Sequence, residues 1–280
     1  MSKLGIFTTA VTAFGFFSLF RKYVSKQKTI VENVQKVETL VIELSGHIGR
    51  NSDINLKALQ LDFSKLITDD IKDIIFRIDS YGGELVEAYN IYSYLVRVQK
   101  DYPEIKFHIY GDNLLSGGYM IALAFEKIYV NPYGKFGSIG VIYELCDVNG
   151  FLKHWGLNNI EFSSGKLKIP IKNGEVDEEN KEMLKMMLDE NFEMFRKLMI
   201  DKRGDKLKQV KEMEIIDKCG YLSASSAVKC GLVDEVFDSA TVYRQMISGD
   251  VTKSFYFHYA IKEQNNTNTN LINLLNMFLK

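Results

Sequence analysis

Two glycine-bearing turns carry the residue types that acyl-transfer chemistry needs. Gly82-Gly83 follows an apolar run and precedes a helical pattern, and Ser116-Gly117-Gly118 repeats the arrangement after the next apolar run. At a strand-to-helix junction free backbone amides face outward and the helix start adds partial positive charge, so a developing oxyanion can be held there. Each piece also has a plainer alternative. A glycine pair makes a tight turn that needs positive φ, and serine is a favoured helix N-cap. A serine nucleophile further requires a base. Of the four histidines, His108 lies inside a strand pattern, His154 is beside Trp155 and His258 is near the C-terminus. Only His47, just after Ser45-Gly46, falls in a βα loop. No G-x-S-x-G elbow is present, which disfavours an α/β-hydrolase. The remaining option is a lysine amine, whose ordinary pKa of about 10.4 must fall by several units before it can take a proton. Spacing alone selects no particular lysine.

The elements that must position these groups read as α/β. Residues 39–44 form a short apolar run ending at Ser45-Gly46, and a polar helical stretch runs from there to Leu66. Residues 71–79 and 105–110 read as further strands, 84–100 as a helix with Leu85, Ala88, Ile91, Tyr92 and Leu95 on one face, and a helix begins near Ser116. Short strands are expected at 127–130 and 141–145. Strand, glycine turn and helix in repetition predict βα crossovers and a largely parallel sheet. A long helix over 177–202 aligns Leu184, Leu188, Phe192, Phe195 and Met199 as a core or subunit-contact stripe, with Asp177, Glu178 and Glu179 as a solvated first turn.

With 46% hydrophobic and 25% charged residues in 280, a disordered chain is excluded. The net charge of −1 lacks the basic excess that general nucleic-acid binding requires. Three cysteines without a C-x-x-C support neither a disulfide framework nor a zinc ribbon. Neither a metal nor a cofactor is expected. Residues 4–20 carry no charge and reach about 26 Å as a helix, slightly short of a hydrocarbon core of about 30 Å. Arg21, Lys22, Lys26 and Lys28 come next. A single-pass signal anchor is the favoured reading, with an organellar targeting segment and a cleaved signal or interfacial helix as rivals. The expected organisation is an anchor or targeting segment with basic linker over 1–36, a catalytic domain over 37–250 and a tail over 251–280.

Six stretches in order resemble the signal peptide peptidase A family of serine–lysine peptidases: RIDSYGGELVEAYNIY (77–92), SGGYMIALA (116–124), GSIGV (137–141), FLKHWGLNNIEF (151–162), SGKLK (164–168) and SASSAVKCGLVDEV (223–236). The resemblance implies the fold of the Clp protease subunit and the crotonases, with repeated ββα units and a long C-terminal helix in a single domain. It implies Ser116 as nucleophile, Lys168 as general base, with Lys166 as local competitor, and Ser138 as the serine that orients the lysine. Gly83 and Gly117 would supply the oxyanion amides, a donor class worth about 3–4 kcal/mol each. One departure stands out. The family's usual Ser-Pro-Gly-Gly is Ser80-Tyr81-Gly82-Gly83 here, which removes the proline constraint on φ before the oxyanion loop.

The expectation is therefore a membrane-associated serine endopeptidase that cleaves extended, apolar peptides such as remnant signal peptides or membrane-protein segments. In relatives of this family with one copy of the domain the dyad is completed across a subunit boundary, so the resemblance implies a homo-oligomer of that kind here. The location depends on the anchor, an organellar membrane being among the readings. The rivals are a crotonase-like enzyme acting on an acyl-CoA thioester and a catalytically silent oligomeric scaffold.

Overall fold

The computed structural model describes residues 38–144, 148–157, 160, 162–168, 176, 178–239, 241–242 and 255–259. The anchor expected over 1–36 and the segment 271–280 lie outside them. Among the described residues no helix is long and apolar enough to cross a membrane.

Eight strands form one sheet: β1 (Thr39–Ser45), β2 (Asp73–Ser80), β3 (Lys106–Leu115), β4 (Ile128–Val130), β5 (Lys135–Gly137), β6 (Tyr221–Ser223), β7 (Glu235–Val236) and β8 (Phe255–Tyr259). The main path runs β6-β5-β3-β2-β1-β8. All pairs are parallel except β5 with β6. The helices are α1 (Leu56–Leu66), α2 (Leu85–Asp101), α3 (Gly117–Ala122), α4 (Asn149–His154), α5 (Glu178–Arg203), α6 (Met213–Asp217) and α7 (Ala224–Cys230). This is a mixed α/β fold with a largely parallel sheet and one long helix, as expected.

The strands β1 and β2 are buried almost throughout because both sheet faces are covered. Alternate residues divide between the faces. Leu40, Ile42, Leu44, Ile74, Phe76 and Ile78 join the main core with Phe63 of α1 and Ala88, Ile91 and Leu95 of α2. Val41, Ile75 and Tyr110 meet Val242 on the other face. Asn55 caps α1, its side chain accepting from Ala58 N–H at 2.8 Å.

The central strand β3 forks. Ile109–Gly111 pairs with β4, and Leu114 and Leu115 pair with β5. Between the two halves the register against β2 slips: Ile78 faces Gly111, but Asp79 faces Asn113. Asp112 is the extra residue, and Arg77 Nε at 2.6 Å and Asn131 Nδ2 at 2.9 Å hold its carboxylate. Such a bulge re-aims the rest of its strand, and Ser116 stands at that strand's end.

Two expectations are corrected. No strand forms at 141–144, where Ile142 and Tyr143 are exposed and pair with no strand among the described residues; the strand lies earlier, at β5. The strand expected to end at Tyr110 continues to Leu115 through the bulge. Of the helical stripe, read as core or subunit contact, Phe195 and Met199 are buried in the core and Leu184, Leu188 and Phe192 are half-buried. In addition, five residues of the segment read as a C-terminal tail form β8, an edge strand parallel to β1.

The C-terminal end of α5 is fastened by charge. Buried Arg203 donates to Gly231 O from Nε at 3.0 Å and Nη2 at 2.8 Å, and its Nη1 lies 2.7 Å from Asp234 Oδ2. Lys206 Nζ is 2.9 Å from Asp234 Oδ1. Burial pushes the Asp234 carboxyl up, but hydrogen bonds from Arg203, Lys206 and Ile128 N–H outweigh it and hold the pKa below the usual value.

Candidate active site

Ser116 stands between the end of β3 and the start of α3 with φ +50° and ψ −119°, a region that non-glycine residues rarely occupy. Two backbone bonds keep it there: Ser116 N–H donates to Gly137 O at 2.9 Å, and Ser116 O accepts from Met120 N–H at 3.0 Å. Its side chain makes no capping hydrogen bond, so the N-cap explanation of this serine is removed.

The turn after β2 lies directly against it. A Cβ added to Gly82, at φ +105°, would stand 2.8 Å from Ser116 Cβ. At Gly83, φ +155°, a Cβ would fall 1.9 Å from Ile48 O. These two positions admit glycine alone. Ile48 ties the turn down, donating to Gly82 O at 3.0 Å and accepting from Glu84 N–H at 2.8 Å. In that parallel bridge the flanking residues carry the bonds, so Gly83 N–H is not used by it. Gly117 N–H belongs to the first turn of α3, which has no partner within the helix. The two amides are neighbours: a Cβ on Gly117 would lie 3.6 Å from Gly83 N.

Ser138 stands beside Ser116. Leu115 pairs with Gly137 across β3 and β5, so the two serines are the next residues in register. Ser138 also has positive φ, +51°, and donates from its amide to Gly220 O at 2.7 Å. Gly83, Gly117, Ser116 and Ser138 are thus gathered by three strand ends.

Lys168 is not joined to them. It ends a single 3-10 turn (Lys166–Lys168), donates its amide to Gly165 O at 3.2 Å, and has an exposed side chain that makes no described hydrogen bond to either serine. No described hydrogen bond joins a histidine side chain to Ser116. His47 is exposed, and its amide donates to Asp53. His108 Nε2 lies 2.9 Å from Asp73 Oδ1 near the opposite end of the sheet, about 25 Å along β3 from Ser116. Among the described residues no three His, Cys, Asp or Glu side chains gather as a metal site requires.

One residue escaped the sequence reading. Ser80, fully buried, donates from Oγ to Gly46 O at 2.7 Å and accepts from Gly82 N–H at 3.1 Å. It locks the turn from below. Its signals were its place at the head of the Ser80-Tyr81-Gly82-Gly83 motif and a hydroxyl at the end of an apolar strand, but its partner on β1's loop is remote in sequence.

A model of peptidase family S49 matches residues 102–251. A protein of Methanocaldococcus jannaschii named as a protease is 29% identical over 60% of this chain and 53% of its own length. A protein of Enterococcus faecium named signal peptide peptidase SppA is 25% identical over 75% of this chain and 63% of its own. One of Haemophilus influenzae named as protease SohB is 25% identical over 76% of this chain and 59% of its own. The chain therefore spans between about half and two thirds of the length of these three relatives. A solved structure titled as the membrane-bound stomatin-specific protease 1510-N aligns with TM-score 0.48 and 16% identity, over 80% of this chain and 98% of that one.

Proposed function

This chain belongs to peptidase family S49, and from that premise we propose that it is a serine endopeptidase using Ser116 and Lys168 as a dyad. The observation that carries the reading is Ser116 itself: strained backbone, no capping role, and the Gly83 and Gly117 amides beside it. A neutral lysine amine takes the hydroxyl proton as Ser116 Oγ attacks the scissile carbonyl. The amides bind the oxyanion, and the ammonium then protonates the leaving amine as the acyl-enzyme forms. Water attacks the acyl-enzyme by the same route. Ser138, in register with Ser116, orients the amine.

Within one chain Lys168 makes no described hydrogen bond to Ser116, which leads to a second part of the proposal. The dyad is completed across a boundary in a homo-oligomer. The segment between the serines and Lys168 exposes Ile142 (86%), Phe151, Trp155, Ile160 and Phe162 (94%), a patch of the kind that marks an interaction surface. The favoured substrates are extended, apolar peptides, including remnant signal peptides and segments of membrane proteins. Association with a membrane rests on the uncharged run at 4–20 and the basic residues after it.

The test is labelling of the detergent-solubilised protein by a fluorophosphonate probe, with peptide cleavage measured alongside. Signal lost in both Ser116→Ala and Lys168→Ala establishes the dyad, whereas equal signal in all three forms refutes Ser116 as nucleophile. Absence of both labelling and cleavage in folded, oligomeric wild type shifts the reading to a thioester enzyme or a scaffold.

A further inference from the structure

The turn that carries the Gly83 amide contains two residues with positive φ, Gly82 and Gly83, and glycine is the residue with most backbone freedom to lose. Ser80 anchors its start and Ile48 its end. Tyr81, between them, is 66% exposed, and its ring is held from outside. Lys135 Nζ lies 5.8 Å from the centroid of the Tyr81 ring and 5.5 Å from that of Tyr221, both within cation–π range. Among the described residues no carboxylate pairs with Lys135, and its exposed ammonium faces the two rings and solvent.

The backbone of Lys135 is placed by a separate link to the same turn. Its N–H donates to Asn113 Oδ1 at 3.1 Å, and Asn113 Nδ2 donates to Asp79 Oδ1 at 2.8 Å. Tyr221 faces Gly137 across β5 and β6, and its predecessor Gly220 accepts the Ser138 amide. The cluster thus joins the turn on one side of Ser116 to the strand pair that holds Ser138 on the other.

We propose that Tyr81, Lys135 and Tyr221 form a clamp of positioning residues that fixes the Gly82-Gly83 turn against β5 and β6, and thereby sets the Gly83 amide relative to Ser116. The proposal rests on the serine-peptidase reading for its catalytic consequence and on the cation–π geometry for its mechanical one. The clamp touches no reacting atom. Its loss therefore lowers the rate of acylation and leaves KM for a peptide unchanged.

The experiment uses the full chain in detergent and has two arms. In the first, Lys135→Gln and Tyr81→Leu are each expected to slow phosphonylation of Ser116 about fivefold, the size of one exposed cation–π contact. The double variant should lose no more than either single one, because both remove the same contact. Lys135→Arg and Tyr81→Phe, which keep a cation and a ring, should recover most of the rate. In the second arm, amide hydrogen exchange of a peptide covering 79–85 should quicken in Lys135→Gln and return toward wild type in Lys135→Arg. Additive losses, or failure of arginine to rescue, overturn the clamp. Folded, oligomeric wild type that neither labels at Ser116 nor cleaves peptide removes the peptidase reading instead, and the exchange arm then decides alone: faster exchange upholds the clamp, and unchanged exchange overturns it.

Discussion

Ser116 and Ser138 sit at the ends of paired strands, each turned to positive φ and each held by a backbone bond to a different strand or loop. Lys168 ends a lone turn beyond a run of exposed aromatic and aliphatic side chains, and only a local amide bond to Gly165 holds its backbone among the described residues. The first region is positioned by the main chain of the sheet, so it is built within one copy of the chain. The second leaves its apolar surface uncovered. The proposed nucleophile and oxyanion amides are thus part of the fold's own rigidity, whereas the proposed base depends on what covers it.

The sharpest way to break that contrast is inside the first region. Gly83→Ala places a methyl group on the Ile48 carbonyl, forcing the turn to move and taking its amide away from Ser116. Phosphonylation should fall at least about a hundredfold, the usual scale for losing one oxyanion donor; labelling near the wild-type rate would show that Gly83 does not contribute. Next comes the scaffold beneath. Arg203→Ala leaves the half-buried Asp234 carboxylate with one cation fewer and empties the buried site of the guanidinium, and should cost roughly 3 kcal/mol of stability in chemical denaturation. The pH dependence comes from the depressed Asp234 pKa: its contribution is fully present above the unfolded value of about 3.9 and is lost as pH falls through the lower folded value. The variant should therefore lack that part of the acid-side slope, and an unchanged slope would free Asp234 of this role. The smallest effect on stability belongs to the second region. Phe151→Ser with Trp155→Ser should change denaturation by under about 0.5 kcal/mol, as exposed substitutions do. Sedimentation should nevertheless show smaller species and peptide cleavage should drop. Intact oligomers with full cleavage would place the contact elsewhere.

Much of the body was legible in the sequence because its elements are long and periodic. The expected helix over 84–100 is Leu85–Asp101, and the one over 177–202 has its described part at Glu178–Arg203. The glycine turns were also legible, since only glycine tolerates their geometry. What stayed hidden has short or non-local causes. The strand β5 has three residues, too few for any period, while Val141-Ile142-Tyr143 has strand-forming side chains but no strand beside it among the described residues. The second half of β3 was masked by Gly111, Asp112 and Asn113, which read as a turn because the bulge is made of turn residues. Ser80's bond to Gly46 and the meeting of Tyr81, Lys135 and Tyr221 join segments that only the sheet brings side by side. For Lys168, the resemblance supplied the role, and the geometry of a single copy leaves it unpaired with Ser116.

The extra residue in β3 acts as a change of parity. Before it, the odd-numbered Phe107 and Ile109 pack on the main core; after it, the even-numbered Leu114 does. One strand therefore serves two alternations, one matched to the body through β4 and the other to the serine pair through β5. A chain lacking Asp112 would run in unbroken alternation, with Asn113 still facing Asp79 and Leu114 still on the core, so what the extra residue adds is the local bend and the carboxylate that Arg77 and Asn131 hold.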